Sequence, residues 1–323
     1  MGGIMSGQGL RQRFVRRFVG LSRYSRVTAW LVVCAFIVQA LAGVWLGSYL
    51  LSLDLSVGTV LLMILTALFI GTRLRGLNNI VQECTHSSFA EDREDNTRIG
   101  RFCSAILTGC YREYKADHLS HHAHLGDYEH DRELGAIQQF GLHEPLTPRT
   151  IFRHFITPLT GRHLREYSGI NMSRDDGLLF YGLKMGVLVL IAFFAILAPV
   201  TTLLFVVLPL FFVFPTLNFW TDCLDHAGLV GKEDELEASR NVLAPSLVRF
   251  IFFPRHDCYH MVHHLFPQIP ARHHREAHEE LCNDPEYGNQ PLASWPTHKG
   301  LGTQLAHAVA PNRGIRADGL KTR

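Results

Sequence analysis

Residues 185–221, MGVLVLIAFFAILAPVTTLLFVVLPLFFVFPTLNFWT, form a long stretch without a charged side chain. About 20 apolar residues in a helix are enough to cross the hydrocarbon core of a membrane, so this stretch has room for nearly two crossings. Pro199 lies near its middle, where the missing N–H and the ring disfavour a continuous helix. The stretch and the apolar residues before it therefore predict two membrane helices, at about 178–198 and 200–220.

A second apolar region lies near the N-terminus. No charge interrupts residues 27–53, and a further apolar run, 55–72, ends at Arg73. We expect two more membrane helices here, at about 28–50 and 55–72, joined by a short turn. The predicted fold is therefore an all-α integral membrane protein with four transmembrane helices in two hairpins.

Composition favours this fold over its alternative, a soluble protein with buried helices. The 323 residues are 47% apolar with a mean hydropathy of +0.08, which is too apolar and too unevenly patterned for an ordinary soluble domain of this size. The seven cysteines are odd in number and form no C-x-x-C pair, so neither a disulfide framework nor a zinc ribbon is expected. This suits a reducing compartment. No nucleic-acid partner is expected.

The distribution of basic residues predicts how the chain is oriented. Residues 1–27 form a basic arm without acidic residues, and the polar stretch 73–177 is rich in Arg, whereas the two outer turns contain neither Lys nor Arg. The positive-inside rule then places the N-terminus, the polar stretch and the C-terminal third in the cytosol. We expect one membrane domain, 28–282, followed by a loose tail, 283–323, rich in Gly, Pro and polar residues.

Four clusters of polar residues contain all of the candidate ligands, and two of them come soon after a predicted span. Side chains three or four residues apart share one face of a helix, so the members of each cluster can converge. Because both hairpins return the chain to the same side, all four clusters can meet in one cytosolic layer. The clusters are Gln82-Glu83-Cys84-Thr85-His86, His118-Leu119-Ser120-His121-His122, Asp222-Cys223-Leu224-Asp225-His226 and His260-Met261-Val262-His263-His264.

The residue types in these clusters favour transition metals. Neutral imidazole binds iron and related metals, whereas calcium and magnesium prefer oxygen ligands. Eight histidines exceed the needs of one ion but suit two. A single histidine is more often a solvated or hydrogen-bonded residue, but two copies of H-x-x-H-H beside membrane helices are a different pattern. Structural zinc is the weaker alternative, because such sites usually have four ligands that include Cys.

The pattern resembles the membrane fatty-acid desaturase superfamily, which also contains alkane hydroxylases and carotenoid ketolases or hydroxylases. The resemblance covers roughly residues 28–282. It rests on the two H-x-x-H-H motifs, on Asp222-x-x-x-His226 and on the run from Tyr259 through His263-His264-Leu265-Phe266-Pro267. It implies a cytosolic helical cap and a non-haem di-iron site. The iron ligands that it implies are His86, His118, His121, His122, His226, His260, His263 and His264.

Two further positions are ligand candidates by the same resemblance. Asp222 stands where members carry an acidic or amide residue near the metal, so it is a direct or water-mediated ligand candidate. Gln82 departs from the pattern, because the first motif of the family usually begins with His. Either Gln82 coordinates through its carbonyl oxygen, or water takes the place of that ligand, or this branch tunes its iron differently.

Residues around the ligands are expected to orient them, since a metal-bound imidazole usually donates its second N–H to an acceptor. His124 extends the second motif, Glu83 follows Gln82, and Asp127 and Asp131 come shortly after. A solvated acidic loop is the alternative for the last two. Beyond the metal ligands, no catalytic side chain is predicted.

The resemblance implies dioxygen-dependent desaturation of a fatty acyl chain linked to a lipid, to CoA or to a carrier protein. The implied cofactors are two iron ions, with dioxygen as co-substrate and an external reductant. We expect a ferredoxin or similar small carrier, with the Arg-rich cytosolic face as its docking surface. A hydroxylase or ketolase of the same superfamily is the first alternative, because the same ligands serve both outcomes. A non-catalytic metal-binding membrane protein is the second.

Overall fold

The computed structural model describes residues 7–232 and 234–295, and within these ranges it contains helices, turns and two isolated β-bridges but no strand. The helices up to the middle of the chain are α1 Gly7–Phe18, α2 Arg26–Leu51, α3 Val57–Thr85, α4 Arg93–Ile106, α5 Tyr111–Ala123, α6 Arg132–Ala136, α7 Pro148–Ile156 and α8 Leu164–Tyr167. Those that follow are α9 Leu178–Leu197, α10 Pro199–His226, α11 Glu235–Ala238, α12 Ser246–Phe252, α13 His260–Leu265, α14 His274–Leu281 and α15 Pro285–Gly288.

Four of these helices, α2, α3, α9 and α10, are long and apolar enough to cross a membrane. Helix α9 ends at Leu197, close to the end predicted from Pro199. Helix α10 contains two π-helical turns, at Leu203–Val207 and Pro209–Val213. Proline lacks the N–H that an α-helix needs, and local widening of this kind is a usual response to it. The all-α membrane fold expected from the sequence is therefore supported at the level of helix type and length.

Helix α3 extends well beyond residue 72, where the sequence predicted its end. The prediction ended at Arg73 because a charge in an apolar environment is costly without partners. In the structure Arg73 is buried but donates to Oε1 of Gln39 at 3.1 Å and to the carbonyl of Phe250 at 2.9 Å. Its guanidinium also lies 4.9 Å from the ring centre of Phe69. These partners allow the helix to continue, and its last turns carry Gln82 and Glu83 to the candidate site.

Helix α3 is the central element, because it packs against α2, α4 and α10. Close approach to α2 depends on Gly76, where an added Cβ would overlap the ring of Phe36. On the other side, a Cβ at Gly71 would overlap the side chain of Val213 in α10. The small residues therefore set the distance between α3 and its neighbours, and they fix the position of its C-terminal end.

Both ends of the described chain pack against the core. In α1, Leu10 and Phe14 are buried in the same apolar cluster as Leu265. Beyond residue 282, where a loose tail was expected, Tyr287 is fully buried, and the amide of Trp295 donates to the carbonyl of Asn241 at 3.2 Å. Residues 283–295 are therefore folded, because their aromatic side chains have apolar surface to cover. Residues 296–323 of the expected tail lie outside the described residues.

Candidate metal centre

Four helix ends bring the predicted ligands together. His86 directly follows the last residue of α3, and His226 is the last residue of α10. Helix α5 carries His118, His121 and His122, and α13 carries the last three histidines of the set, His260, His263 and His264. Because i, i+3 and i+4 positions share a helix face, each of these short helices presents three imidazoles toward one region.

The eight histidines form two groups of four. In each group the nitrogens that could bind a metal all lie within 4.8 Å of one another. Rings of His122 and His264, one from each group, have centres only 4.5 Å apart, so the groups are neighbours. The first His group is His86, His118, His122 and His263, and the second His group is His121, His226, His260 and His264.

Within each group the Nε2 atoms converge. In the first His group, Nε2 of His263 lies 2.9 Å from Nε2 of His122 and 3.3 Å from Nε2 of His118. In the second His group, Nε2 of His260 lies 2.9 Å from Nε2 of both His226 and His264. The short distances between these ring nitrogens define one point in each group at which a cation bound by them would lie.

The opposite ring nitrogens of His118 and His226 face acceptors. Nδ1 of His118 lies 3.0 Å from Oε2 of Glu133, and Nδ1 of His226 lies 3.0 Å from the carbonyl oxygen of Ala238. A carbonyl oxygen can only accept, so Nδ1 of His226 carries the proton and its Nε2 has a free lone pair. The same reasoning applies to His118 beside an ionised carboxylate.

This arrangement tests whether a metal fits the site. Two imidazole lone pairs facing each other at about 3 Å repel unless a proton or a cation lies between them. With the protons on Nδ1 of His118 and His226, the Nε2 lone pairs of these two imidazoles, one in each group, face other ring nitrogens. Nε2 of His86 is also buried and has no hydrogen-bond partner among the described residues. The donor set therefore fits two transition-metal ions, one in each group, with imidazole as the principal ligand.

Burial favours the neutral form of His122, His263 and His264. It lowers the pKa of His122, His263 and His264 well below the usual value, and repulsion among neighbouring imidazoles lowers it further. Burial alone would raise the pKa of Glu133, but the adjacent imidazoles, His118 first, lower it to about 2. Neutral imidazoles next to an ionised carboxylate are the protonation states that metal binding requires.

Gln82, the position that departs from the expected motif, lies at the first His group. Its side-chain nitrogen, Nε2, is 3.1 Å from Nε2 of His263, and a flip of the amide would place the oxygen there. It therefore faces the point on which the ring nitrogens of that group converge. Asp222 is placed differently, because its Oδ2 accepts a 2.5 Å hydrogen bond from the hydroxyl of Tyr167.

The four residues expected to orient ligands have different surroundings. Asp131 is buried with Oδ2 2.7 Å from Nδ1 of His121. Asp127 instead forms a hydrogen bond with His130 on the surface, and the ring of His124, directly after α5, lies 5.5 Å from that of His130. Asp127 and His124 are both exposed, so neither side chain reaches the buried His groups, contrary to expectation.

Glu83 pairs with a cation, not with a ligand imidazole. Its carboxylate forms a buried ion pair with Arg255 and accepts from the backbone N–H of Ala271 at 3.2 Å. Arg255 and the next residue, His256, both have positive φ, at 64° and 62°. This conformation costs a non-glycine residue of the order of 1 kcal/mol, so the ion pair helps to fix a strained turn just before α13.

Two carboxylates that contact candidate ligands were not singled out from the sequence. Glu133 contacts His118 as described above, and Oδ2 of Asp225 lies 3.4 Å from Nδ1 of His260. The sequence contained only weak signals that these two carboxylates would contact an imidazole. Asp225 directly precedes His226, and Glu133 follows Asp131 by two residues at the start of α6. A carboxylate next to a ligand motif is common, and only the path of the chain shows which of them faces an imidazole.

A cavity of about 510 Å³ lies beside the two groups. Its wall includes His118, His121, His226 and His260, together with Asp222. A volume of this size is typical of sites for small molecules.

Comparison with known families agrees with the site. The family model described as fatty acid desaturase matches residues 59–295, which include all eight histidines. The chain belongs to the fatty acid desaturase family. Family membership makes it an oxidoreductase by class, and the candidate membrane helices and the histidine-rich site are consistent with that assignment.

Curated members of the family are distant relatives. A dihydrorhizobitoxine desaturase of Bradyrhizobium elkanii is 27% identical over 251 residues, which cover 72% of this chain and 70% of that protein. A chloroplastic omega-3 fatty acid desaturase of Brassica napus is 27% identical over 240 residues, covering 65% of this chain and 58% of that protein. A chloroplastic omega-3 fatty acid desaturase of Glycine max is 26% identical, and the chain spans about half of its length, 52%.

Proposed function

We propose that this family member is a dioxygen-dependent desaturase with a histidine-ligated di-iron centre, and that it removes two hydrogens from neighbouring carbons of an acyl chain. The observation that carries the proposal is the convergence of eight imidazoles in two adjacent groups of four. Imidazole-rich sites suit redox-active transition metals, and the family is one of desaturases.

In this proposal the first His group holds one iron and the second His group holds the other. Iron supplies the activation of dioxygen and the cleavage of an unactivated C–H bond. The protein orients the imidazoles through Glu133, Asp131 and Asp225. Gln82 completes the environment of the first group, directly through its side-chain oxygen once the amide is flipped, or through water. Asp222 lies in the cavity wall, and in this proposal it is a direct or water-mediated ligand.

The proposal includes a membrane topology. Helices α2 and α3 form one transmembrane hairpin and α9 and α10 the other, with the helices between and after them as a cytosolic cap. The bias of Arg toward the N-terminal arm and the polar stretch 73–177 supports a cytosolic N-terminus, metal centre and C-terminal third. Electrons would come from a ferredoxin or similar small carrier that approaches from this side.

Metal analysis of the purified protein tests the centre. We expect two iron atoms per chain after reconstitution, and loss of most of that iron on substitution of His263 by Ala. Zinc alone, or less than one iron per chain, would remove the di-iron proposal. His143→Ala is the matched control, because His143 is exposed and bonds only Tyr128 among the described residues.

Labelled dioxygen separates the proposed desaturation from hydroxylation or ketone formation by the same ligand set. A desaturase releases the oxygen as water, so the organic product gains a double bond and no label. Retention of heavy oxygen in the product would favour the hydroxylase or ketolase. A protein that binds iron but gives neither product with any reductant would be the non-catalytic alternative.

A further inference from the structure

The cavity beside the His groups is unusually charged for an acyl site. Pockets for apolar ligands are lined mainly by hydrophobic and aromatic side chains. Here seven carboxylate side chains and three guanidinium groups belong to the wall. Placing methylene groups against such a wall leaves its polar groups without water or partners, which costs free energy at each of them. The charged side chains of the wall therefore indicate which chemical class of substrate the cavity binds.

The deep part of the cavity is acidic. Thr221, Asp222 and Asp225 line it from the last turns of α10, and Asp257 lines it from the loop before α13. Asp257 is neutralised by a buried ion pair with Arg75. One carboxylate oxygen of Asp222 accepts a hydrogen bond from the hydroxyl of Tyr167.

Asp225 has an unused oxygen at this wall. The residue is only 1% exposed, and while Oδ2 faces His260, Oδ1 has no hydrogen-bond partner among the described residues. A buried carboxylate oxygen without a donor is strongly unfavourable. A donor or a cation brought by a ligand would satisfy it.

The mouth of the cavity is formed by charged residues outside the four candidate spans. Side chains of Asp117, Arg132 and Arg165 belong to the wall and are 50%, 66% and 86% exposed. All three lie in the polar stretch between α3 and α9. A molecule that enters here passes hydrated charges, which favours entry from water over entry from the bilayer core.

We infer that the substrate of this centre is a water-soluble molecule that carries a protonated amine within a few carbons of the bond that is oxidised. The amine binds beside Asp225 and Asp222, and the aliphatic carbons next to it face the two His groups. This inference rests on the proposed function for its reaction and narrows its substrate from acyl chains in general to amine-bearing ones.

Charge-selective labelling tests the inference without knowledge of the natural substrate. Thr221→Cys places a thiol on the cavity wall, one helical turn before Asp225. Relative to their rates with free cysteine, we expect the cationic reagent aminoethyl methanethiosulfonate to modify this thiol about tenfold faster than the anionic sulfonatoethyl reagent, because carboxylates outnumber guanidinium groups in the wall and an excess of one charge concentrates the opposite charge. Site-resolved mass spectrometry separates this signal from that of native cysteines, among them Cys110, which also lines the cavity.

Thr66→Cys is the matched control. Thr66 is buried in α3, its hydroxyl donates to the carbonyl four residues earlier as that of Thr221 does, and it is not part of the cavity wall. Because Thr66 lies within a candidate membrane span and away from the cavity, neither charged reagent is expected to modify a thiol at this position. Asp225→Asn added to Thr221→Cys should reduce the preference for the cationic reagent.

Competition with simple probes extends the test. Hexylamine should slow labelling at position 221 by the cationic reagent, and caproate, which has the same chain length with a carboxylate, should not. Equal rates for the two charged reagents, or the opposite order, would overturn the inference. So would labelling by membrane-permeant N-ethylmaleimide alone, or protection by caproate and not by hexylamine. Labelling does not require iron, so iron content of the same samples reports separately on the proposed di-iron centre.

Discussion

Oδ2 of Asp131 lies 2.7 Å from Nδ1 of His121, and both side chains are buried. Asp131 also caps α6, because its other oxygen accepts from the backbone N–H groups of Glu133 and Leu134. One carboxylate thus fixes the start of a helix and the orientation of an imidazole. Burial alone would lower the pKa of His121, but the carboxylates around it, Asp131 first, raise it above the usual value.

Asp131→Asn should weaken metal binding at the second His group. The amide keeps the shape but loses the charge that orients and polarises His121, and loss of such a partner typically costs 10–100-fold in metal affinity. Competition with a chelator of known affinity measures the change. Asp127→Asn is the control, since Asp127 is exposed and bonds His130. Equal losses in both variants would indicate a general effect of charge.

Gln82→His should bind at least as much iron as the wild type, because it restores an imidazole beside His263. Gln82→Leu removes both amide atoms and should weaken iron binding at the first His group. Iron content and the spectrum of the iron-loaded protein measure both changes. If neither variant alters iron content, spectrum or activity, Gln82 lies outside the ligand set.

Glu83→Gln should destabilise the protein, because it leaves the buried guanidinium of Arg255 without its counter-charge. Breaking a buried ion pair on one side typically costs about 3–5 kcal/mol. Thermal unfolding in detergent measures the loss. Glu94→Gln is the control, since its ion pair with Arg98 is exposed and such pairs contribute about 0–1 kcal/mol. Similar losses in the two variants would contradict a special role for Glu83.

Asn241→Ala should destabilise α13 and its three histidines. Oδ1 of Asn241 accepts from the backbone N–H of Met261 at 2.9 Å, and Nδ2 donates to Tyr287 and to the carbonyl of Ala293. Removal of the amide leaves several buried groups unpaired, each at a cost of about 1–3 kcal/mol. Asn289→Ala, at an exposed position, should have little effect. Retention of full iron content by the first variant would contradict the proposed link.

The long apolar helices and the histidine motifs could be predicted from the sequence because both are local patterns. An uncharged run of residues 185–221 can be read without knowledge of any neighbour, and so can H-x-x-H-H. The end of α3 could not, because Arg73 continues the helix only through partners on α2 and α12, distant in sequence.

The contrast between local patterns and contacts distant in sequence also explains which residues around the candidate ligands could be predicted. Asp131 was expected near an imidazole and lies there, whereas Asp127, only four residues earlier, is in solvent. Composition cannot separate two carboxylates in one loop, since the start of α6 determines which one turns inward. Residues 283–295 are a comparable case, because polar and small residues suggest a loose segment until Tyr287 finds a buried place beside Asn241.

Helix α1 has a practical consequence for anyone who handles this protein. Arg11 donates to the carbonyl oxygens of His264 and Leu265, so the N-terminal arm is fastened to the helix that carries three of the imidazoles. An affinity tag or fluorescent fusion joined close to residue 7 would pull on that attachment. Preparations made with such fusions should be compared for iron loading with otherwise identical ones labelled elsewhere, before a low metal content is attributed to the enzyme itself.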